Sequence, residues 1–141
     1  MSRWSSGVAW MVRLTLGGVF LWAGGQKALH PQLFALDLEA YRILPAELIL
    51  PIAYYVPWLE IMTALALFIP ALRRAALVIV IGMLTVFTLM LVVAWSRGLQ
   101  INCGCFGAAG HDATDFGFAV ARNLLLIGGG IWLTRRWSQP A

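Results

Sequence analysis

The two cysteines of this chain are separated by a single glycine, in the segment Asn102-Cys103-Gly104-Cys105-Phe106-Gly107. Thiols at this spacing offer dithiol–disulfide exchange, binding of a soft metal ion, or no chemistry at all. A disulfide needs Cα atoms about 4.4–6.8 Å apart, so the backbone must bend, which Gly104 permits. The resulting ring would be strained, and strained, exposed disulfides are typical of labile or catalytic thiol pairs.

The other roles for the thiol pair have less support in the sequence. A structural disulfide stabilises a protein by closing a long loop, and this pair closes almost none. Two thiolates suit Cu(I) or Zn(II), but a closed zinc site needs four ligands. The sequence offers only His111 nearby and His30 in another loop. Redox exchange is therefore the favoured interpretation, no residue is assigned as a metal ligand, and metal binding and idle thiols stay alternatives.

The chain around these cysteines is too apolar for a soluble domain. Its 141 residues are 61% hydrophobic and 11% charged, whereas soluble domains average about 45–50% apolar and about 25% charged. Four apolar runs are each long enough to cross a bilayer. They predict an all-α, polytopic membrane four-helix bundle and a single integral membrane domain over residues 1–141. The net charge of +4 is interpreted as a topology signal, so no nucleic-acid partner is expected.

The predicted spans cover residues 7–29, 48–69, 75–95 and 117–134, and the predicted outer loops cover residues 30–47 and 96–116. The first span is expected to act as its own insertion signal. His30-Pro31 ends it, because proline disfavours helical geometry in the residue before it. The first outer loop predicts a short amphipathic helix at the membrane interface. Pro51 and Pro57 predict a kink or an irregular first turn in the second span.

The distribution of lysine and arginine predicts the orientation of the bundle. One side would carry Arg3, Arg73, Arg74, Arg135 and Arg136, and the other Lys27, Arg42 and Arg97. Both termini are therefore expected in the cytoplasm. The cysteines would then face the outside, where disulfides form and persist.

Charged side chains inside the spans are the second set of candidates, because charges in a membrane are costly and by default mark a functional site. Lys27 lies near the outer end of the first span, and Glu60 is the only carboxylate inside any predicted span. Arg122 lies about 8 Å along the fourth span. These three side chains could converge beneath the cysteine segment. In the structural alternatives Lys27 snorkels to the head groups, and Glu60 only neutralises an arginine.

Other polar residues in the spans have plainer interpretations. Arg13 is interpreted as structural. Gln26 and Asn123 could hydrogen-bond across helices, and Tyr41 is either a pocket lid or an interfacial tyrosine. The tryptophans fall mostly near predicted span ends, as in an aromatic belt.

Several of these motifs together resemble one family of membrane proteins. The matching segments are Gly24-Gly25-Gln26-Lys27, Tyr41-Arg42-Ile43-Leu44-Pro45, Pro57-Trp58-Leu59-Glu60, Cys103-Gly104-Cys105-Phe106-Gly107 and Arg122-Asn123. In type and order they are similar to the DoxX-like superfamily, and within it to the MauE branch. The resemblance implies a four-helix bundle with the cysteine loop outside. It also implies a role in redox maturation of extracytoplasmic proteins, beside a thioredoxin-like partner. Unlike DsbB relatives, this chain has one cysteine pair only, so a relay must end on a quinone or on a partner protein.

The sequence thus predicts a membrane thiol–disulfide redox protein of the bacterial inner (cytoplasmic) membrane. It would support oxidative maturation of, or electron transfer for, extracytoplasmic proteins. Cys103 and Cys105 would cycle between dithiol and disulfide, with a thiolate as the attacking species. Arg122 or Lys27 would stabilise that anion, and Glu60 would orient the cation or move a proton.

A quinone is one candidate electron acceptor, with Arg122, Tyr41 and Gln26 as the residues that would contact its head group, and a partner protein is the other. Two rival classes remain. One is a soft-metal (Cu/Zn) handling membrane protein that uses the same thiolates. The other is a non-catalytic docking subunit for a thioredoxin-like partner. Glycine-lined helices are compatible with either internal packing or an oligomer.

Overall fold

A computed structural model of the protein describes residues 3–99 and 116–138. Within these ranges all regular structure is helical. The five helices are α1 (Arg3–Leu29), α2 (Pro31–Ala40), α3 (Ala46–Ala66), α4 (Arg73–Ser96) and α5 (Phe116–Ser138). Cys103, Cys105 and His111 lie outside the described residues, so the hypotheses built on them stay predictions.

Four of the helices are long and apolar enough to cross a membrane, which confirms the predicted fold class. The candidate spans are Ser6–Leu29, Ala46–Ala66, Arg73–Ser96 and Gly117–Trp137, with mean hydropathy from 1.3 to 2.9. At a rise of about 1.5 Å per residue each exceeds the hydrocarbon thickness of about 30 Å. The second predicted span extends too far, because residues 67–72 form turns around Pro70.

The short helix α2 lies where the sequence predicts an interfacial helix. It begins at Pro31, a position that suits proline because the first helical N–H needs no partner within the helix. Phe34 and Leu38 are buried against Ala53 of α3, while Leu36 is 60% exposed. This second apolar face would contact lipid at the interface.

Small residues set the packing of α1 in the bundle. This helix contacts α2, α3 and α5, and its most extensive contact is with α3. At Gly24 the two helices approach so closely that a Cβ atom would lie 2.9 Å from the carbonyl oxygen of Pro57. Glycine at this contact lets the backbones meet.

The two ends of the bundle carry different chemistry. At the cysteine-side end lie the end of α1, all of α2, the start of α3, the end of α4 and the start of α5, where residues 100–115 join α4 to α5. There the Arg97 guanidinium donates to the carbonyl oxygen of Arg42 at 3.2 Å. At the opposite, arginine-rich end lie the start of α1, the turn before α4 and the end of α5. There the Arg74 guanidinium donates to the carbonyl oxygen of Trp137.

Candidate functional site

A buried ion pair joins α1 to α3 near the cysteine-side end. The Nζ of Lys27 donates to Oε1 of Glu60 at 2.8 Å, and the two side chains are 1% and 3% exposed. Lys27 lies close to the last residue of α1. The close approach of α1 and α3 at Gly24 brings both side chains within bonding distance. Lys27 therefore does not snorkel to the head groups, and the partner of Glu60 is this lysine, not an arginine.

Aromatic rings enclose the Lys27 ammonium on two further sides. The ring centroids of Phe34, from α2, and Phe87, from α4, lie 4.9 Å and 4.7 Å from Nζ. A cation at such distances is attracted by the ring quadrupole, most strongly where water is excluded. Four helices thus hold this one charged group in place.

A small cavity of about 20 Å³ lies beside the ion pair. Its lining residues are Val19, Phe20, Ala23, Lys27, Glu60, Leu84, Phe87, Arg122, Asn123 and Leu126. A cavity of about 10–15 Å³ is needed to hold one water molecule, so this cavity has room for about one water. The Oε2 of Glu60 and the Nδ2 of Asn123 are buried and have no hydrogen-bond partner in the part of the chain that the structure describes. A water could donate to the carboxylate and accept from the amide.

Arg122 brings a second cation to the wall of this cavity. It lies about 9 Å along α5 from Phe116, and its side chain is half-buried. Its Nη2 and Nε donate to Oδ1 of Asn123 at 3.2 Å and 3.4 Å. The structure therefore places Lys27, Glu60 and Arg122 around one cavity, in the half of the bundle to which the cysteine segment is attached.

Asp37 of α2 is a member of this site that the sequence did not single out. It is half-buried, and its burial raises the pKa of its carboxyl to about 6, against the opposing effect of the Lys27 charge. Lys27 thus interacts with two carboxyl groups, Glu60 through a bond and Asp37 through its field. The sequence does contain one signal for Asp37. It follows the apolar Phe34 by three residues, so the two side chains share one side of the helix.

Two of the three residues predicted to contact a quinone lie elsewhere. Tyr41 is 3% exposed and packs with Leu91, Ala94 and Ala119, between α4 and α5. Gln26 is half-buried on α1. Neither Tyr41 nor Gln26 lines the cavity. Of the three residues, only Arg122 does.

The cavity also bears on the quinone itself. A quinone ring is several times larger than a water molecule, and a cavity of about 20 Å³ has no room for it as the helices stand. Quinone as acceptor stays a prediction, and no step is assigned to it in this cavity.

Comparisons with known proteins identify the family of the chain. The family model for methylamine utilisation protein MauE matches residues 5–136. The methylamine utilization protein MauE of Methylophilus methylotrophus is 35% identical over 89 residues, which cover 62% of this chain and 47% of the relative. The methylamine utilization protein MauE of Paracoccus denitrificans is 31% identical over 120 residues, which cover 84% of this chain and 64% of the relative.

The matched regions set the scope of this likeness. The chain spans about half to two thirds of the length of these curated relatives. No solved structure matches it, and the wider DoxX-like grouping stays a prediction. With a family model that covers residues 5–136 and four helices able to cross a bilayer, the chain belongs to the MauE family of multi-pass membrane proteins.

Proposed function

We propose that this protein is a membrane thiol–disulfide redox component for the maturation of an extracytoplasmic protein in methylamine utilisation. Cys103 and Cys105 are its exchanging pair, and the bacterial cytoplasmic membrane is its location. The names of both curated relatives support the process. The observation that carries the proposal is the buried Lys27–Glu60 pair, which lies beside Arg122 in the half of the bundle to which the cysteine segment is attached.

A buried ion pair is a costly way to hold two helices together. The desolvation of two charges often exceeds their attraction, so well-packed apolar side chains of similar volume would serve packing equally well. The second oxygen of Glu60 has no hydrogen-bond partner among the described residues, which adds to the cost. Charged groups kept inside a membrane bundle at this cost are typical of sites that move protons or stabilise ions.

The exchange reaction balances without a further reagent. A disulfide between Cys103 and Cys105 is attacked by a thiolate of the partner protein, through a mixed disulfide. The bond between the two cysteines breaks, a disulfide forms in the partner, and two electrons and two protons pass to this chain. In the reverse direction the same pair reduces a partner disulfide.

The charged site would serve this exchange through protons and charge. Arg122 lies on the helix that directly follows the cysteine segment, so its cation would stabilise a thiolate that approaches the end of the bundle. Asp37, with its pKa near 6, is suited to exchange a proton close to neutral pH. The acceptor that restores the disulfide would be a thioredoxin-like partner or a quinone bound outside the small cavity.

The test measures the redox state of the cysteines in the full chain, purified in detergent, by thiol alkylation and intact mass. A dithiol peptide is added first and an oxidised thioredoxin-like protein or a soluble quinone second. We expect a disulfide that the dithiol reduces and one of the oxidants restores, and we expect Cys103→Ser and Cys105→Ser each to abolish the cycle.

A pair of variants on α3 separates the charged site from general effects. Glu60→Gln should slow the exchange, whereas Glu47→Gln, which changes an exposed acid in the first turn of the same helix, should not. Free thiols that carry copper or zinc would replace the proposal with metal handling. A disulfide that neither dithiol nor oxidant alters would replace it with a docking subunit.

A further inference from the structure

A second cavity, of about 220 Å³, lies at the arginine-rich end of the bundle, between α1, the start of α4 and the end of α5. Three guanidinium groups line it, those of Arg13, Arg73 and Arg136, and none of its lining residues is acidic. A concave site lined by charges of one sign attracts ions of the other sign. This cavity is therefore electrostatically suited to an anion.

Arg13 supplies a buried donor that lacks an acceptor. Its side chain is 5% exposed, and its guanidinium carbon lies 3.7 Å from the ring centroid of Trp10. Stacking engages the face of the guanidinium and leaves its N–H donors in the plane available. Among the described residues the Nε of Arg13 has no hydrogen-bond partner. A buried donor without a partner is costly, and a bound anion would remove that cost.

Arg73 repeats this arrangement from another helix. Its guanidinium carbon lies 4.6 Å from the ring centroid of Trp137, and its Nε is likewise buried, with no hydrogen-bond partner in residues 3–99 and 116–138. The neighbouring Arg74 donates to the backbone carbonyl of Trp137, which holds the end of α5 against the start of α4. Two stacked arginines from two helices thus line one cavity, each with an unsatisfied N–H group.

We propose that this cavity binds a phosphate group, from the head group of an anionic phospholipid or from free phosphate. Phosphate oxygens match the forked donors of arginine. The cavity lies at the end of the spans between Trp10 and Trp137, and tryptophans mark the level of the lipid head groups. Basic pockets between transmembrane helices are known to take anionic lipid head groups, which makes lipid the favoured source.

The experiment uses the full chain in nanodiscs of phosphatidylcholine, with and without phosphatidylglycerol. Native mass spectrometry counts the phosphatidylglycerol molecules that the protein retains. Thermal unfolding is measured in a buffer free of sulfate and phosphate, and again after inorganic phosphate is added. Arg73→Gln and Arg136→Gln each remove one lining guanidinium. Arg135→Gln is the matched control, because Arg135 is adjacent to Arg136, is exposed and does not line the cavity.

We expect the wild type to retain phosphatidylglycerol and each lining variant to bind it about fivefold more weakly, the effect of one arginine near an anionic lipid. Arg135→Gln should bind as the wild type does. Stabilisation by inorganic phosphate alone, lost in the lining variants, would assign the site to the free ion. Equal lipid retention in Arg136→Gln and Arg135→Gln, or no response to either phosphate source, would overturn the proposal.

Discussion

A Cβ atom built on Gly24 would lie 2.9 Å from the backbone carbonyl oxygen of Pro57, a distance that real Cβ contacts do not show. The same Cβ would meet the Cβ of Glu60 at 3.0 Å. The point of closest approach between α1 and α3 thus lies directly beside the Lys27–Glu60 pair. The geometry of the ion pair depends on the absence of a side chain at this position.

We predict that Gly24→Ala destabilises the protein by about 1–3 kcal/mol, the usual cost of overpacking a close contact. The backbone of α3 has to move, because its carbonyl oxygen cannot rotate away as a flexible side chain could. Gly25→Ala is the control, since a Cβ there has nothing within 4 Å. Thermal unfolding in one detergent measures both variants. Equal effects of the two substitutions would contradict this account of the helix contact.

The ion pair itself can be tested with a double-mutant cycle. Lys27→Met or Glu60→Gln alone should cost about 3–5 kcal/mol, because each leaves a buried charge or dipole without its partner. The double variant should cost clearly less than the sum, with a coupling energy of about 0.5–3 kcal/mol. Unfolding free energies of the four proteins, measured in the same detergent, give this number. Additive losses would mean that the 2.8 Å contact contributes no coupling.

The pKa of Asp37 predicts a dependence of stability on pH. In the folded protein this pKa is raised from 3.8 to about 6, so the folded state binds the proton more tightly than the unfolded state. The resulting stabilisation is present below pH 3.8 and is lost as the pH rises through about 6. We therefore expect the Tm of the wild type to fall by a few degrees between pH 4 and pH 7, relative to Asp37→Asn.

Lys27 provides an internal check on that pH dependence. Its positive charge opposes the rise in the pKa of Asp37, so Lys27→Met should move the midpoint of the Tm change to higher pH. Glu39→Gln, a substitution of an exposed acid on the same helix, should leave the profile unchanged. A wild-type profile that Asp37→Asn does not alter would remove Asp37 from the site.

The charged members of the site could be predicted because apolar spans leave them few arrangements. A lysine, a glutamate and an arginine in three spans must find partners inside the bundle or reach the interface, and Lys27, Glu60 and Arg122 surround one cavity. The same logic predicts the helices, since runs of such length and hydropathy cross a bilayer. The second predicted span ends too late, because Pro70 lies inside a turn and not at the end of the helix, and the fourth ends too early, because α5 continues to Ser138.

The remaining members could not be predicted because their roles depend on how the helices are arranged. Phe87 lies in a span without charge, and nothing local distinguishes a ring that covers an ammonium from one that contacts lipid. Asp37 looks like a solvated acid on a short helix until α2 packs against α3. Arg13 did carry a local signal, since Trp10 precedes it by three residues and such pairs meet on a helix.

Asn123 and Glu60 line the same cavity without a direct hydrogen bond between them in the described residues. If one water joins the Nδ2 of Asn123 to the Oε2 of Glu60, the two side chains are coupled through it. Asn123→Leu should then cost about 1.5–3 kcal/mol, because Arg122 also loses an acceptor. Combined with Glu60→Gln, it should show a coupling energy of at least about 0.5 kcal/mol.

Thr63 offers the matched control for this coupling. It is 3% exposed, lies on the same helix as Glu60, and does not line the cavity. The losses of unfolding free energy caused by Thr63→Val and by Asn123→Leu should therefore add in the double variant within about 0.3–0.5 kcal/mol, as they do for independent sites. If the free-energy losses of Asn123→Leu and Glu60→Gln are equally additive, no water couples the two side chains and the cavity is dry. The unpartnered oxygen of Glu60 would then be a standing cost to the fold, and proton exchange at this carboxylate would need a path other than Asn123.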